Sequence, residues 1–247
     1  MPIGILNNIL FLDIETVPQF PSYTEMPPRW KDLWDLKASY IIRNKEDETS
    51  EKVYPRAGIY AEFGKIICIG CGVLSGNTAQ KKLTLKCFFG EDEKLILYQF
   101  ADMVNKWAID GTKYLCAHNG KEFDFPYLCR RFIVNQMPIP SVLQLAGKKP
   151  WEVNHLDTLE LWKFGDYKNY TSLNLLANTL GLPTPKDDID GSNVWELFWS
   201  AKTSSEKEKN MNRIVAYCQK DVVAVAQIFL RMNNEALIKE ENIETKF

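Results

Sequence analysis

Asp13 and Glu15 stand one residue apart in the run Phe11-Leu-Asp13-Ile-Glu15-Thr16. On an extended strand alternate residues share a face, so both carboxyls point one way while Leu12 and Ile14 point the other. Two carboxylates side by side at the end of an apolar strand repel, and loss of water disfavours both charges. A cation between them relieves both penalties; a solvated strand end is the plainer alternative. Asp124 follows in Cys116-Ala-His-Asn-Gly-Lys-Glu-Phe-Asp-Phe-Pro126, where a strand runs into a loop and a helix begins. Aspartate is a common N-cap, yet sites in α/β proteins also gather at such junctions. Tyr217 and Asp221 share a helical face with Ile214, Val225 and Ile228. Asp221 therefore lies on the stripe that should meet the core, where a lone carboxylate is costly unless it reaches solvent or a metal.

Taken together, these acids suggest a metal centre. All-oxygen ligands without histidine suit Mg²⁺ or Mn²⁺ rather than zinc, and the chain holds only two histidines. Four carboxylates can hold two such ions roughly 3.5–4 Å apart, the spacing used in phosphoryl transfer. A phenol beside the attacking water can orient it, which is the expected role of Tyr217.

The elements that must position these residues form a mixed α/β pattern. Ile9–Ile14, Lys65–Leu74, Lys81–Phe89, Lys113–Ala117 and Val153–Leu159 read as strands. Residues 75–77 form the turn of a hairpin between the second and third. Trp30–Ile42, Glu91–Trp107, Phe125–Val134, Ser172–Leu180, Asn193–Ser200 and Ser204–Ile238 read as helices. Residues 18–64 carry five prolines and read as an irregular insertion. Its aromatics Phe20, Tyr23, Trp30, Trp34 and Tyr40 could pack as a core or offer a stacking platform. No Gly/Ser linker divides the chain, so residues 1–247 are expected to form a single domain.

Composition narrows the class. With 45% hydrophobic and 25% charged residues, the chain is neither disordered nor collagen-like. Thirty bases against 32 acids and a pI near 5.8 argue against a protein that coats a duplex. Setting aside the four candidate ligand acids leaves 28 acids against 30 bases, so an anionic substrate is compatible. Cys68 and Cys71 have C-x-x-C spacing, but positions three apart on a strand face opposite ways and cannot easily share a metal. The N-terminus lacks a basic, cleavable leader and no apolar stretch reaches membrane-spanning length. A reduced cytoplasm is therefore the expected setting.

Asp13-Ile-Glu15-Thr, Asn119-Gly-x-x-Phe-Asp124-x-Pro and Tyr217-x-x-x-Asp221 occur in the order of the three exonuclease motifs of the DEDDy 3′–5′ exonucleases, which they resemble. The proofreading exonuclease domain of family-B DNA polymerases and its stand-alone bacterial relatives are the most similar members. The resemblance runs from Ile9 to about Met232. It implies an α/β, RNase H-like fold with a five-stranded mixed sheet flanked by helices. It implies Asp13, Glu15, Asp124 and Asp221 as ligands of two Mg²⁺ or Mn²⁺ ions, with Tyr217 positioning water. The tyrosine, rather than a histidine, places the chain in the tyrosine branch. Asn119 and Phe123 would line the substrate cleft, and Thr16 would contact the terminal nucleotide through its backbone. The implied partner is a nucleic acid with a free 3′ end, single-stranded or frayed DNA in the first instance. Palm and thumb regions are absent, so any proofreading would serve a polymerase in trans.

Three alternatives stay open. The same fold could act on RNA or short oligonucleotides, which a 2′-OH contact would decide. It could bind nucleic acid without cleaving, although all four acids and the tyrosine are present. A carboxylate-metal phosphatase is less well supported, since no nucleophilic-aspartate motif is found. Lys186–Gly191 resembles a loop of the related proteins or is a solvated acidic turn. Asp157 is either a supporting acid for the site or an exposed strand-end aspartate.

Overall fold

The structure is a computed structural model that describes residues 3–43, 45, 47–76, 80–109, 112–166, 170–183 and 189–246. Its centre is a mixed sheet in the order β5-β4-β1-β2-β3-β6. The strands are β1 (Ile9–Pro18), β2 (Gly64–Gly76), β3 (Lys81–Phe89), β4 (Tyr114–Ala117), β5 (Leu156–Asp157) and β6 (Ile243–Thr245). The first three run antiparallel, whereas β4, β5 and β6 pair in parallel with their neighbours. The helices are α1 (Pro28–Ile41), α2 (Glu93–Trp107), α3 (Asp124–Val134), α4 (Thr158–Lys163), α5 (Leu173–Thr179), α6 (Val194–Ser200) and α7 (Ser204–Met232).

Strand alternation sorts the core into two layers. Leu10, Leu12 and Ile14 pack with Ile69 and Phe88 beneath α2 and α3. Ile9 and Phe11 face the other way, against Val222, Val225 and Phe229 of α7. Asp13 and Glu15 continue that second face, so the strand delivers both acids beneath α7. Two glycines let the helix come close. A Cβ on Gly70 would stand 2.7 Å from Cys218 Sγ, and one on Gly72 would stand 2.8 Å from a Val222 methyl. Cys68 lies on the α7 face with the Cys218 cluster, and Cys71 on the opposite one. All six cysteines are free.

Local chemistry fixes the helix starts. Asp92 caps α2 by accepting from Leu95 N–H at 3.2 Å, and Ser172 caps α5 by accepting from Leu175 N–H at 3.3 Å. Thr203 and Glu206 form a reciprocal capping box at α7.

The sheet has six strands rather than the five expected. Ile243–Thr245 sits in a charged tail with no apolar run, and its pairing to β3 across the chain has no local signature. The fifth strand is shorter than Val153–Leu159. Asp157 ends it by accepting from the N–H groups of Leu159 and Glu160, which starts α4. Helix α7 stops at Met232 rather than Ile238. Asn234 turns left-handed at φ 55°, and the returning segment is pinned where Gln227 bonds both the N–H and the carbonyl of Ile238.

The insertion is more ordered than its prolines suggest. Besides α1 it holds a 3-10 turn at Tyr54–Ile59. Trp34 is fully buried, with the rings of Tyr54, Tyr60 and Phe63 at 5.6, 6.3 and 5.3 Å. Phe20, Tyr23 and Trp30 pack around this cluster. These aromatics form a local core; of the five considered as a stacking platform, only Tyr40 is largely exposed. Glu93 and Arg131 anchor the insertion's end. Arg131 meets Glu93 through two bonds of 2.8 and 2.6 Å and donates to the Ala61 carbonyl at 2.7 Å. Both side chains are buried, where a pair is tolerated only with its hydrogen bonds satisfied.

Candidate active site

A cleft of about 660 Å³ opens at the end of β1 beside α7. Asp13, Glu15, Thr16, Phe123, Tyr217 and Asp221 all line it. Asp124 sits just behind, 4% exposed, as the first residue of α3. It does not cap the helix. Its carboxyl instead turns toward β1, accepting from the Ile14 backbone N–H. Asn119 is not a lining residue. It turns the preceding loop at φ 62°, so the chain can reverse from β4 into α3.

Electrostatics set this group apart. Burial pushes Asp13 well above the ordinary carboxylate range, and Glu15, Asp221 and Asp124 push it further. Glu15 is raised in the same way by burial, Asp221 and Asp124. Asp124 is pushed from 3.8 to about 7, chiefly by burial, with Asp157 and Asp221 adding to it. The Tyr217 hydroxyl bonds the Asp221 carboxylate, and burial together with Asp221, Glu15 and Asp13 raises its pKa strongly. Asp13 Oδ2 is buried without any hydrogen-bond partner, the only such side-chain oxygen or nitrogen among the described residues. Converging acids that resist ionisation, one with an orphaned oxygen, are what a cation would relieve. The donor set fits a hard divalent ion.

Asp157 supports this arrangement from behind. It is 2% exposed and accepts from the N–H groups of Asn119 and Lys121 at 3.0 Å each, and of Leu159 and Glu160 at 2.9 and 3.3 Å. One carboxylate thus ties the Asn119 turn to the start of α4. His118 braces the same loop between Thr158 Oγ1 at 2.9 Å and the Thr171 carbonyl at 2.8 Å, and burial lowers its pKa.

Other cleft residues were not foreseen from the sequence. Pro55, Gly58 and Ile59 of the insertion form one wall, and the Tyr127 hydroxyl holds that wall by donating to the Gly58 carbonyl at 2.8 Å. Tyr170, Asn174 and Trp195 line another part. His118 adjoins the Asn119 motif, which is the one local signal that could have found it. Of the Lys186–Gly191 loop, residues 186–188 lie outside the described residues, while Ile189, Asp190 and Gly191 line the cleft.

An acidic cleft on the first strand of a mixed α/β sheet, with a donor set that fits a divalent cation, is the candidate site. A family model described as RNase_H superfamily matches residues 56–233, and the chain belongs to that superfamily. Membership supports a nuclease-type function with nucleic acid as substrate. No curated protein matches the chain. Among the described residues, no helix is long and apolar enough to cross a membrane.

Proposed function

We propose that residues 1–247 act as one metal-dependent 3′–5′ exonuclease unit that removes nucleotides from single-stranded or frayed DNA. The observation that carries this reading is the buried convergence of Asp13, Glu15, Asp124 and Asp221, with Tyr217 bonded to the last. The 3′–5′ polarity and the choice of DNA rest on the likeness of the three motifs to the DEDDy exonucleases.

In this reading the four acids hold two Mg²⁺ or Mn²⁺ ions. Such ions, when bound, make water nucleophilic at neutral pH and stabilise the leaving oxygen. The chain's own residues do the rest. Tyr217 would orient the attacking water by hydrogen bonding; its hydroxyl bonds Asp221, and burial raises its pKa in the metal-free protein. Thr16, beside Glu15 where the β1–β2 register shifts, would offer backbone groups to the terminal nucleotide. Phe123 gives an apolar surface at the mouth of the α3 turn. Ile59, 48% exposed on the insertion wall, gives another.

The test is a 5′-labelled oligonucleotide ladder with Mg²⁺ or Mn²⁺, with DNA, RNA and dinucleotides run side by side. DNA should shorten stepwise from the 3′ end, EDTA should stop it, and Asp13→Ala should abolish it while the fold persists. Full-length oligonucleotide with either metal would sink the proposal.

A further inference from the structure

Cys218 brings a sulfur into the acidic pair. Its Sγ and one carboxylate oxygen each from Asp13 and Glu15 lie within 4.8 Å of one another. The thiol is fully buried and donates to the Asp13 carbonyl at 3.6 Å. Gly70 lies directly beneath it, and a Cβ there would stand 2.7 Å from the sulfur; the Cys68 and Cys87 thiols of β2 and β3 also hydrogen-bond it. On the other side, Asp13 Oδ2 is buried and has no partner.

Two oxygens and a sulfur make a different donor set from the four carboxylates. Hard ions take the oxygens and leave the thiol alone. Zn²⁺ and Cd²⁺ favour thiolate, and mixed sulfur–oxygen sites of low coordination number suit them. We propose that Asp13, Glu15 and Cys218 form a site for a thiophilic divalent ion, Zn²⁺ or Cd²⁺, which competes with Mg²⁺ for the same two carboxylates. Binding breaks the Cys218 S–H bond, forms a metal–sulfur bond and releases one proton to solvent; nothing is oxidised or reduced. The inference rests on the metal-binding half of the proposed function. It adds that this site is inhibited, rather than served, by soft ions.

Co²⁺ is the probe, because a thiolate ligand gives it a near-ultraviolet charge-transfer band that oxygen ligands do not. With the full chain under a thiol-free reductant, Co²⁺ should produce that band, and Zn²⁺ should remove it. Cys218→Ser should lose the band while circular dichroism is unchanged, with Cys218→Ala standing in if the serine variant fails to fold. Cys87→Ser, a control for the neighbouring thiol, should keep it. The Zn²⁺ concentration that half-inhibits Mg²⁺-dependent hydrolysis should rise about tenfold or more in Cys218→Ser. A wild-type protein without the band, or a band that survives Cys218→Ser or disappears in Cys87→Ser, overturns the inference. Hydrolysis with Mg²⁺ but no cobalt band refutes only this inference; a band without hydrolysis on any oligonucleotide refutes only the nuclease.

Discussion

Replacing Asp124 by asparagine should stabilise the metal-free protein and silence it. Asp124 is 4% exposed, and its carboxyl is pushed from 3.8 to about 7. The folded protein therefore holds this proton more tightly than the unfolded chain does. The stabilising contribution of the protonated form is complete below about pH 4 and is lost as pH climbs through about 7. Holding the group ionised at pH 8 costs about 4 kcal/mol, taking 1.36 kcal/mol per tenfold change in proton affinity. Asparagine has nearly the same shape, keeps an oxygen for the Ile14 N–H, and never ionises. About 4 kcal/mol is the ceiling of its gain at pH 8, and the gain should shrink to near zero at pH 4. Urea unfolding in EDTA measures it, at a series of pH values, with the variant always compared with wild type at the same pH. A gain of about 1 kcal/mol or more at pH 8 would stand clear of extrapolation error. Saturating Mg²⁺ should raise wild-type stability at pH 8 and leave the variant nearly unmoved. A variant less stable than wild type at pH 8, or a difference that is flat from pH 4 to 8, refutes the reasoning.

Three further outcomes follow from the same geometry. Tyr217→Phe keeps the ring and removes the hydroxyl that orients water, so kcat should fall about 10²-fold with little change in KM, the size expected when a reactant is misplaced by about 1 Å; single-turnover kinetics would show it. Asp157→Asn turns one acceptor oxygen into a donor facing backbone N–H groups, which should cost about 3 kcal/mol of stability. Activity should fall with it, because the loop leading to Asp124 loosens; thermal melts and Mg²⁺ titration of the rate check both. Gly70→Ala places a methyl 2.7 Å from Cys218 Sγ, so it should cost about 1–3 kcal/mol by overpacking. Its rate should drop as α7 lifts Asp221 from β1, whereas Gly191→Ala, which meets nothing within 4 Å, should be silent in the same melts.

The sequence carried the parts of the fold that local physics decides. Alternation placed Asp13 and Glu15 on one face of β1, and the caps at Asp92, Ser172 and Thr203 mark where helices begin. Helical periodicity put Tyr217 and Asp221 on the face of α7 that meets the sheet. What stayed hidden depends on partners far along the chain. Strand β6 exists because three residues of the tail find the free edge of β3. Asp157 looks like a strand-end aspartate until Asn119 and Lys121, nearly forty residues earlier, fold back onto it. For the insertion's aromatics, core packing is the favoured reading of the sequence and an exposed stacking platform the alternative. The choice was made by Trp34, which buries completely only once Phe63 returns at the start of β2.

The charge balance acquires a location in the fold. Among the described residues that line the cleft there are four acids, Asp13, Glu15, Asp190 and Asp221, and no lysine or arginine. Without a cation such a surface repels phosphate, and the buried Asp13 and Glu15 hold their protons to limit that repulsion. On the proposed reading, binding of an anionic chain and binding of metal are coupled at this site, since each removes a cost the other would meet alone. Few fixed cations also mean few released counterions, so affinity should rest on the metal-held end of the strand more than on its length. Burial of Asp13, Glu15 and Asp124 therefore costs stability in the metal-free fold, and a bound cation would relieve that cost in the proposed chemistry.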